Sequence, residues 1–276
     1  MPPAPPPGAR NLVMVILDSL RFDSWTRAFA SRPRLGALVE RATGVPARLD
    51  LGAAGSWLFV SETTRRRTLE QGVSLPRSEV AHAGVDAELF RPAAPGDWRW
   101  RLLYLGRIEE RKGIDHAVEA LAHLPPEATL EVVGCGDDAY LERLRSLAAE
   151  RDLAGRVRFS AAAREEVPAV YAGADAVVFP VRWPEPFGLV PLEAMAVGRP
   201  VVASGRGGSG EYLRHEENCL IADPDLGPEA LASAVARLAS DEDLRARLRA
   251  GGLETAKRFP ERAFNERVEA LIERAR

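Results

Sequence analysis

The chain has 276 residues, 46% of them apolar and 28% charged, with a formal net charge of −3 at pH 7. This is globular composition, enough for one large domain or two smaller ones. Basic residues are scattered, Arg65-Arg66-Arg67 being the one tight cluster, so nucleic acid is not an expected partner.

In chain order, the opening "MPPAPPPG" predicts a disordered proline-rich tail over 1–9. "NLVMVILDSLRFDSW" reads as a strand followed by a turn, and "SWLFVSETTRRRTLEQG" as a strand, a Ser61 cap and a helix. "AGVDAELFRP" reads as a linker, which places an irregular first region at 10–98. From about residue 100 the pattern becomes regular. "RLLYLG", "ATLEVVG", "RVRFS", "DAVVFP", "RPVVAS" and "CLIAD" are short apolar runs with strand character. Between and after them stand the helical segments "GIDHAVEALAHL", "DAYLERLRSLAAERD", "REEVPAVYAGA", "LVPLEAMAVG", "GEYLRHEE" and the long "GPEALASAVARLASDEDLRARLRAG". Such alternation predicts a doubly wound parallel α/β domain over 99–255, covered on both faces, followed by a C-terminal helix at 256–276 that packs back toward the N-terminal region. No apolar run reaches the roughly 18 residues needed to span a bilayer. Leu12–Leu17 is too short for a signal core and is closed by Asp18, so a soluble cytoplasmic protein is expected. Cys135 and Cys219 are too far apart for metal-ligand spacing and are expected to be reduced thiols filling buried space.

In a doubly wound sheet, ligands bind beyond the carboxyl ends of the strands, and each unusual cluster of this half follows a predicted strand. "GRIEERKG" sets Arg107 and Lys112 beside Gly106 and Gly113, two cations suited to a diphosphate or, in the plainer reading, two solvated surface charges. "GCGDD" offers Gly134 and Gly136, where backbone could approach a sugar or nucleotide or simply turn. "GRGGSG" at 205–210 formally satisfies G-x-G-x-x-G. It sits at the fifth strand, however, whereas a dinucleotide fingerprint opens the first unit, so no nicotinamide cofactor is expected. "DPD" at 223–225 reads as a turn and cap, and no metal is expected there. "VRWPEPFGLVPLEAMAVG" carries two carboxylates eight positions apart. Glu185 would lie in the loop before a helix beginning near Leu189 and Glu193 one turn inside it, with the amides of Phe187, Gly188, Leu189 and Val190 at the helix start. That row of donors and acceptors suits a polyhydroxylated ligand.

The motifs "YLGRIEERKG", "LEVVGCGDD", "VRFSAAAREEVPAVYAGADAVVFP", "EPFGLVPLEAMAVGRPVVAS", "GGSGE" and "ENCLIADPD" occur in an order that resembles the nucleotide-sugar-binding domain of family 4 glycosyltransferases, enzymes of the GT-B fold. The likeness runs from about Leu102 to Leu238, and the E-x7-E pair at Glu185 and Glu193 is its signature. It implies transfer of a sugar from a UDP-, GDP- or ADP-sugar to an acceptor hydroxyl, with retention of configuration and without a bound metal or other cofactor. Arg107 and Lys112 would stabilise the departing diphosphate, and Glu185 would hold the donor sugar's hydroxyls. Phe187, Gly188 and Leu189 would contact sugar and phosphate, and Glu193 would bind ribose. Ala161 and Cys219 stand where glycine is usual in the family, and Ala83 where asparagine is common.

The first 98 residues are fewer than the family's acceptor-binding domain uses, no histidine precedes His82, and the family's glycine-rich loop after the first strand is missing. This predicts an abbreviated N-terminal α/β half. Two outcomes follow: an enzyme acting on an unknown glycan, lipid or small-molecule acceptor, or a nucleotide-sugar-binding module without turnover, either a degenerate fragment or one half of a two-chain enzyme. In either case a partner chain or a second copy is expected to complete the N-terminal half. "NLVMVILDSLRFDSW" resembles the opening strand of the sulfatase superfamily, where the residue at Asp18 ligates a metal. No nucleophile or metal set follows it, so Asp18 is expected to cap a turn.

Overall fold

A computed structural model describes residues 56–75 and 77–275. The proline-rich tail, the expected strand at 11–25 and Asp18 lie outside the described residues. The described residues divide into two compact units, one of residues up to 81 together with those from 265 on, the other of residues 82–264.

In the first unit, β1 (Trp57–Phe59) and β2 (Ser78–Val80) pair in parallel around α1 (Glu62–Glu70). The Ser61 hydroxyl accepts from the Thr64 amide at 3.0 Å, fixing the helix start. Arg65 ties α1 to β2 through the Ser78 hydroxyl at 2.8 Å.

The second unit holds one six-stranded parallel sheet: β3 (Arg101–Leu105), β4 (Thr129–Val133), β5 (Val157–Ser160), β6 (Ala176–Phe179), β7 (Val201–Ala203) and β8 (Leu220–Ile221). Its spatial order is β5-β4-β3-β6-β7-β8. The helices are α2 (Ile114–Ala120), α3 (Asp138–Glu150), α4 (Val167–Gly173), α5 (Leu189–Val197), α6 (Pro228–Ser240), α7 (Glu242–Lys257) and α8 (Glu261–Ala275), the last running into the first unit. Strands buried on both faces read as near-continuous apolar runs, and β6 and β7 are buried at every residue. On one side α2 packs against α3 and α6, with Ile114, Val118, Leu121, Val235 and Leu238 in a single core cluster; α5 packs against α7.

Three segments depart from the sequence expectation. The long C-terminal helix is two helices. Asp241 leaves the helical conformation (φ −124°, ψ 97°) and its carboxylate caps α7 by accepting from the Leu244 amide at 2.8 Å. "GEYLRHEE" contributes only a single 3₁₀ turn at Gly208–Glu211, because the glycines there serve close backbone packing rather than a helix. Cys135 is exposed in the turn between Gly134 and Gly136, not buried; Cys219 is buried, and burial pushes its thiol pKa up to about 12. Among the described residues no helix is long and apolar enough to cross a membrane.

The central strand pair is pinned at its amino end by Asp175. Its buried carboxylate accepts from the Arg99 and Arg101 amides at 2.8 and 2.9 Å and from the Arg101 guanidinium at 2.6 Å. Asp175→Ala strands the two amides and removes the partner of a half-exposed guanidinium, and is expected to cost about 3 kcal/mol. Thermal denaturation would show this as a Tm lower by roughly 6–12 °C, with Asp175→Asn losing clearly less. An unchanged Tm for the alanine variant would contradict the pinning role.

Candidate functional site

The strand order reverses between β3 and β6. From β3 the chain moves toward β4, and from β6 it moves the opposite way toward β7, so this junction is the topological switch point of the sheet, the place where doubly wound sheets bind ligands. Residues 106–113 follow β3 and residues 180–188 follow β6. Both stretches carry the residues the sequence singled out.

The loop after β3 is shaped from beneath by Tyr104, whose hydroxyl donates to the Arg107 carbonyl at 2.7 Å. Burial, and then the charge of Glu185, raise the tyrosine's pKa and keep it a donor. Arg107, half exposed, pairs with Glu109 at 2.8 Å, and Arg111 donates to the same carboxylate at 2.6 Å. Burial alone would raise the Glu109 pKa; the Arg111 hydrogen bond and the charges of Arg107, Arg111 and Lys112 outweigh it and hold the group ionised. Lys112 sits on a 3₁₀ turn at Glu110–Lys112 and is buried.

Its ammonium meets the loop after β6. Lys112 Nζ donates to Glu185 Oε2 at 2.7 Å, and the Trp183 indole N–H donates to the same oxygen at 2.8 Å. The Arg111 guanidinium lies 3.9 Å from the centroid of the Trp183 ring. The two loops also join through backbone, with Arg182 N donating to the Arg111 carbonyl at 3.0 Å. Arg107, Lys112 and Glu185 are therefore members of one connected cluster.

The glycine-rich stretch at 205–210 supports that cluster through backbone. Gly207 (φ 74°) lies against Glu185 so closely that a Cβ would fall 2.3 Å from the Glu185 carbonyl oxygen, and Gly208 N donates to that carbonyl at 2.6 Å. Arg206 pairs with Asp223 at 3.2 Å and with Asp225, and Asp223 caps the following 3₁₀ turn, so "DPD" is a turn held by an arginine. The turn after β4 is likewise packed on backbone. Gly134 abuts the Gly106 carbonyl and Gly136 the Ile108 carbonyl, with Ile108 N donating to the Cys135 carbonyl at 3.0 Å.

Helix α5 begins on Gly188 (φ 84°) with no side-chain cap, which leaves its first-turn amides to other partners. The Gly188 carbonyl accepts from the Tyr212 hydroxyl, and buried Phe187 packs at 5.4 Å from the His82 ring and 5.3 Å from Tyr212. His82 in turn lies 3.0 Å from Glu211. Leu189 is exposed and Val190 half-buried. Glu193 is buried on α5, one oxygen accepting from the Tyr171 hydroxyl at 2.9 Å and the other from Arg164 at 3.1 Å. Burial raises its pKa, and the Tyr171 and Arg164 hydrogen bonds oppose that rise.

Sequence reasoning missed Trp183, Arg111, Tyr171 and Arg164. An indole donor two positions before Glu185 was a readable signal for the first. The partners of Glu193 come from 22 and 29 residues upstream and had no local signal.

A family model described as glycosyl transferases group 1 matches residues 86–255. A D-inositol 3-phosphate glycosyltransferase of Xylanimonas cellulosilytica is 33% identical over 220 residues, covering 73% of this chain and 52% of the relative. A GDP-mannose-dependent alpha-(1-6)-phosphatidylinositol monomannoside mannosyltransferase of Mycobacterium tuberculosis is 36% identical over 216 residues, covering 71% and 55%. The solved sucrose-phosphate synthase of Thermosynechococcus elongatus is similar at a TM-score of 0.73 and 29% identity, over 87% of this chain and 65% of that one. The chain spans about half the length of the curated relatives it matches. With a GT-B-type α/β sheet and a family-model match over more than half its length, the chain belongs to the group 1 glycosyl transferases.

Proposed function

We propose that residues 82–264 bind a nucleoside-diphosphate sugar in the crevice between the loops after β3 and β6, and that the protein transfers this sugar to an acceptor hydroxyl with retention and without a metal. The observation that carries the reading is the Lys112–Glu185 contact at the switch point, with Arg107 beside it in the same loop. A lysine ammonium has three N–H donors and Glu185 takes one, leaving donors for a diphosphate. Arg107 adds a second cation, and the first-turn amides of α5, from Gly188 to Val190, add the partial positive charge of a helix start. Together they stabilise the negative charge that develops as the bond from the anomeric carbon to the diphosphate breaks, the task a divalent cation performs elsewhere.

Glu185 accepts from hydroxyls of the donor sugar. Retention follows from attack on the face the diphosphate leaves: the acceptor oxygen bonds to the anomeric carbon while its proton passes to the departing phosphate oxygen. Glu193 binds the ribose diol, since an ionised carboxylate has about four acceptor positions and Tyr171 and Arg164 take two. The two curated relatives act by name on an inositol phosphate and on a phosphatidylinositol mannoside, which supports a polyol or glycan hydroxyl as acceptor.

Thermal shifts with UDP, GDP and ADP are expected to single out one nucleotide. Arg107→Ala/Lys112→Ala should weaken its binding about a hundredfold or more, the loss of two charge-assisted contacts. No shift with any nucleotide would refute the donor site. With a matched acceptor, NMR of the product should show the donor's anomeric configuration preserved, and EDTA should leave the rate unchanged; inversion or EDTA-sensitivity would overturn those parts of the reading.

Glu193 carries a pH prediction. Its folded pKa is raised above the ordinary 4.5, so its favourable contribution to stability is complete below that value and is lost as pH rises through the folded pKa. Glu193→Gln removes the buried charge. It is expected to melt at or above the wild-type temperature at pH 7, with the difference closing as pH falls toward 4.5, while nucleotide affinity drops. A variant that melts well below wild type at pH 7 would show that the Arg164 pairing outweighs desolvation.

A further inference from the structure

We propose that Trp183 is a positioning residue for sugar recognition: with Lys112 it fixes one oxygen of Glu185 so that the other is presented to a hydroxyl of the donor sugar. The inference rests on the donor-site reading above and extends it to a residue outside the E-x7-E pair.

Both donors converge on a single atom. The indole N–H and the Lys112 ammonium meet Glu185 Oε2 at 2.8 and 2.7 Å, while Oε1 has no protein partner among the described residues. The last torsion of a glutamate is broad and roughly two-fold, so a carboxylate held by one donor turns easily. Two donors from different directions fix the plane of the group and decide which oxygen is left. Glu185 remains 13% exposed at its side chain, open enough for a ligand to reach.

The tryptophan is itself held. It is buried, the Arg111 guanidinium lies over its ring at 3.9 Å, and Arg111 is anchored to Glu109 at 2.6 Å. The backbone of Glu185 is fixed separately by Gly208, whose amide donates to the Glu185 carbonyl. Main chain and carboxylate are thus set by independent contacts, and the indole N–H belongs to the second. A phenylalanine at 183 would keep a ring beneath Arg111 and lose only this donor. Lys112 and Arg107 would stay in place, so recognition of the diphosphate and of the sugar should separate.

Calorimetric titration of the full chain tests this. UDP, GDP and ADP identify the base, and UDP-glucose, GDP-mannose or ADP-glucose then serves as the matching conjugate. Trp183→Phe is expected to bind the nucleoside diphosphate within about twofold of wild type and the nucleotide sugar about tenfold more weakly, the loss of one hydrogen bond to a charged group. Trp183→His, which restores a ring N–H, should recover part of that loss. In a Glu185→Gln background Trp183→Phe should cost nothing further, because both act on one contact.

Equal weakening of nucleotide and conjugate, or additive losses in the double variant, would make Trp183 a packing residue and overturn the proposal while the donor site stands. If W183F does not fold, W183H bears the same comparison: loss of nucleotide and conjugate affinity alike overturns the proposal. A wild-type chain that binds none of the nucleotides refutes the donor-site reading and the proposal with it.

Discussion

The contact between Lys112 and Glu185 sets the terms for the rest of the second unit. Both side chains are nearly enclosed, at 9% and 13% exposure, and removing two charges from water costs several kcal/mol per ion. The pair is sustained by a short hydrogen bond and by the Trp183 N–H on the same oxygen. It also requires two loops from different strands to meet in register. Neighbouring parallel strands place their following loops at one edge of the sheet, and at the β3–β6 junction the two loops join through this pair.

That register is built from backbone as much as from side chains. Gly113 (φ 70°) lies against the Pro180 carbonyl and Gly207 against Glu185, at separations no side chain would permit. The G-x-G-x-x-G spelling at 205–210 thus has a physical explanation that involves no dinucleotide. Its glycines allow a loop to stack on the loop carrying Glu185, and Gly208 then supplies the amide that holds the Glu185 carbonyl. At the opposite end of the sheet Asp175 holds the beginnings of β3 and β6 together, so the strand pair beneath the two joined loops is restrained at both ends.

Much of this was readable from the sequence, for identifiable reasons. Parallel strands buried on both faces spell continuous apolar runs, and every chemistry-bearing cluster followed one of them, which placed those clusters at one edge of the sheet without any side-chain geometry. The break between α6 and α7 escaped because apolar spacing runs through "SDEDL", although Asp241 with Asp243 and Leu244 behind it has the composition of a helix start. Glu193 was recognisable as unusual among apolar neighbours, but its two partners lie on α4 and the loop before it, and no local spacing reports a contact over 22 or 29 residues. Cys135 was expected to be buried because cysteine usually is; the glycines on either side already marked it as part of a tight surface turn.

The cation at 112 is a lysine rather than an arginine. The chain has 37 lysines and arginines, and only two of them are lysines, Lys112 and Lys257. Where all but one of the remaining positions are served by arginine, a buried lysine in the loop after β3 points to a requirement arginine does not meet. A guanidinium is a planar fork that pairs side-on with a carboxylate and would engage both oxygens of Glu185. An ammonium is a compact charge that meets one oxygen and keeps two donors pointing elsewhere. Lysine therefore leaves Glu185 half available and itself partly available, and Trp183 settles which half. Arg107, about half exposed, pairs with Glu109 at 2.8 Å from the rim of the same loop, and there the longer, forked side chain suits a position nearer solvent.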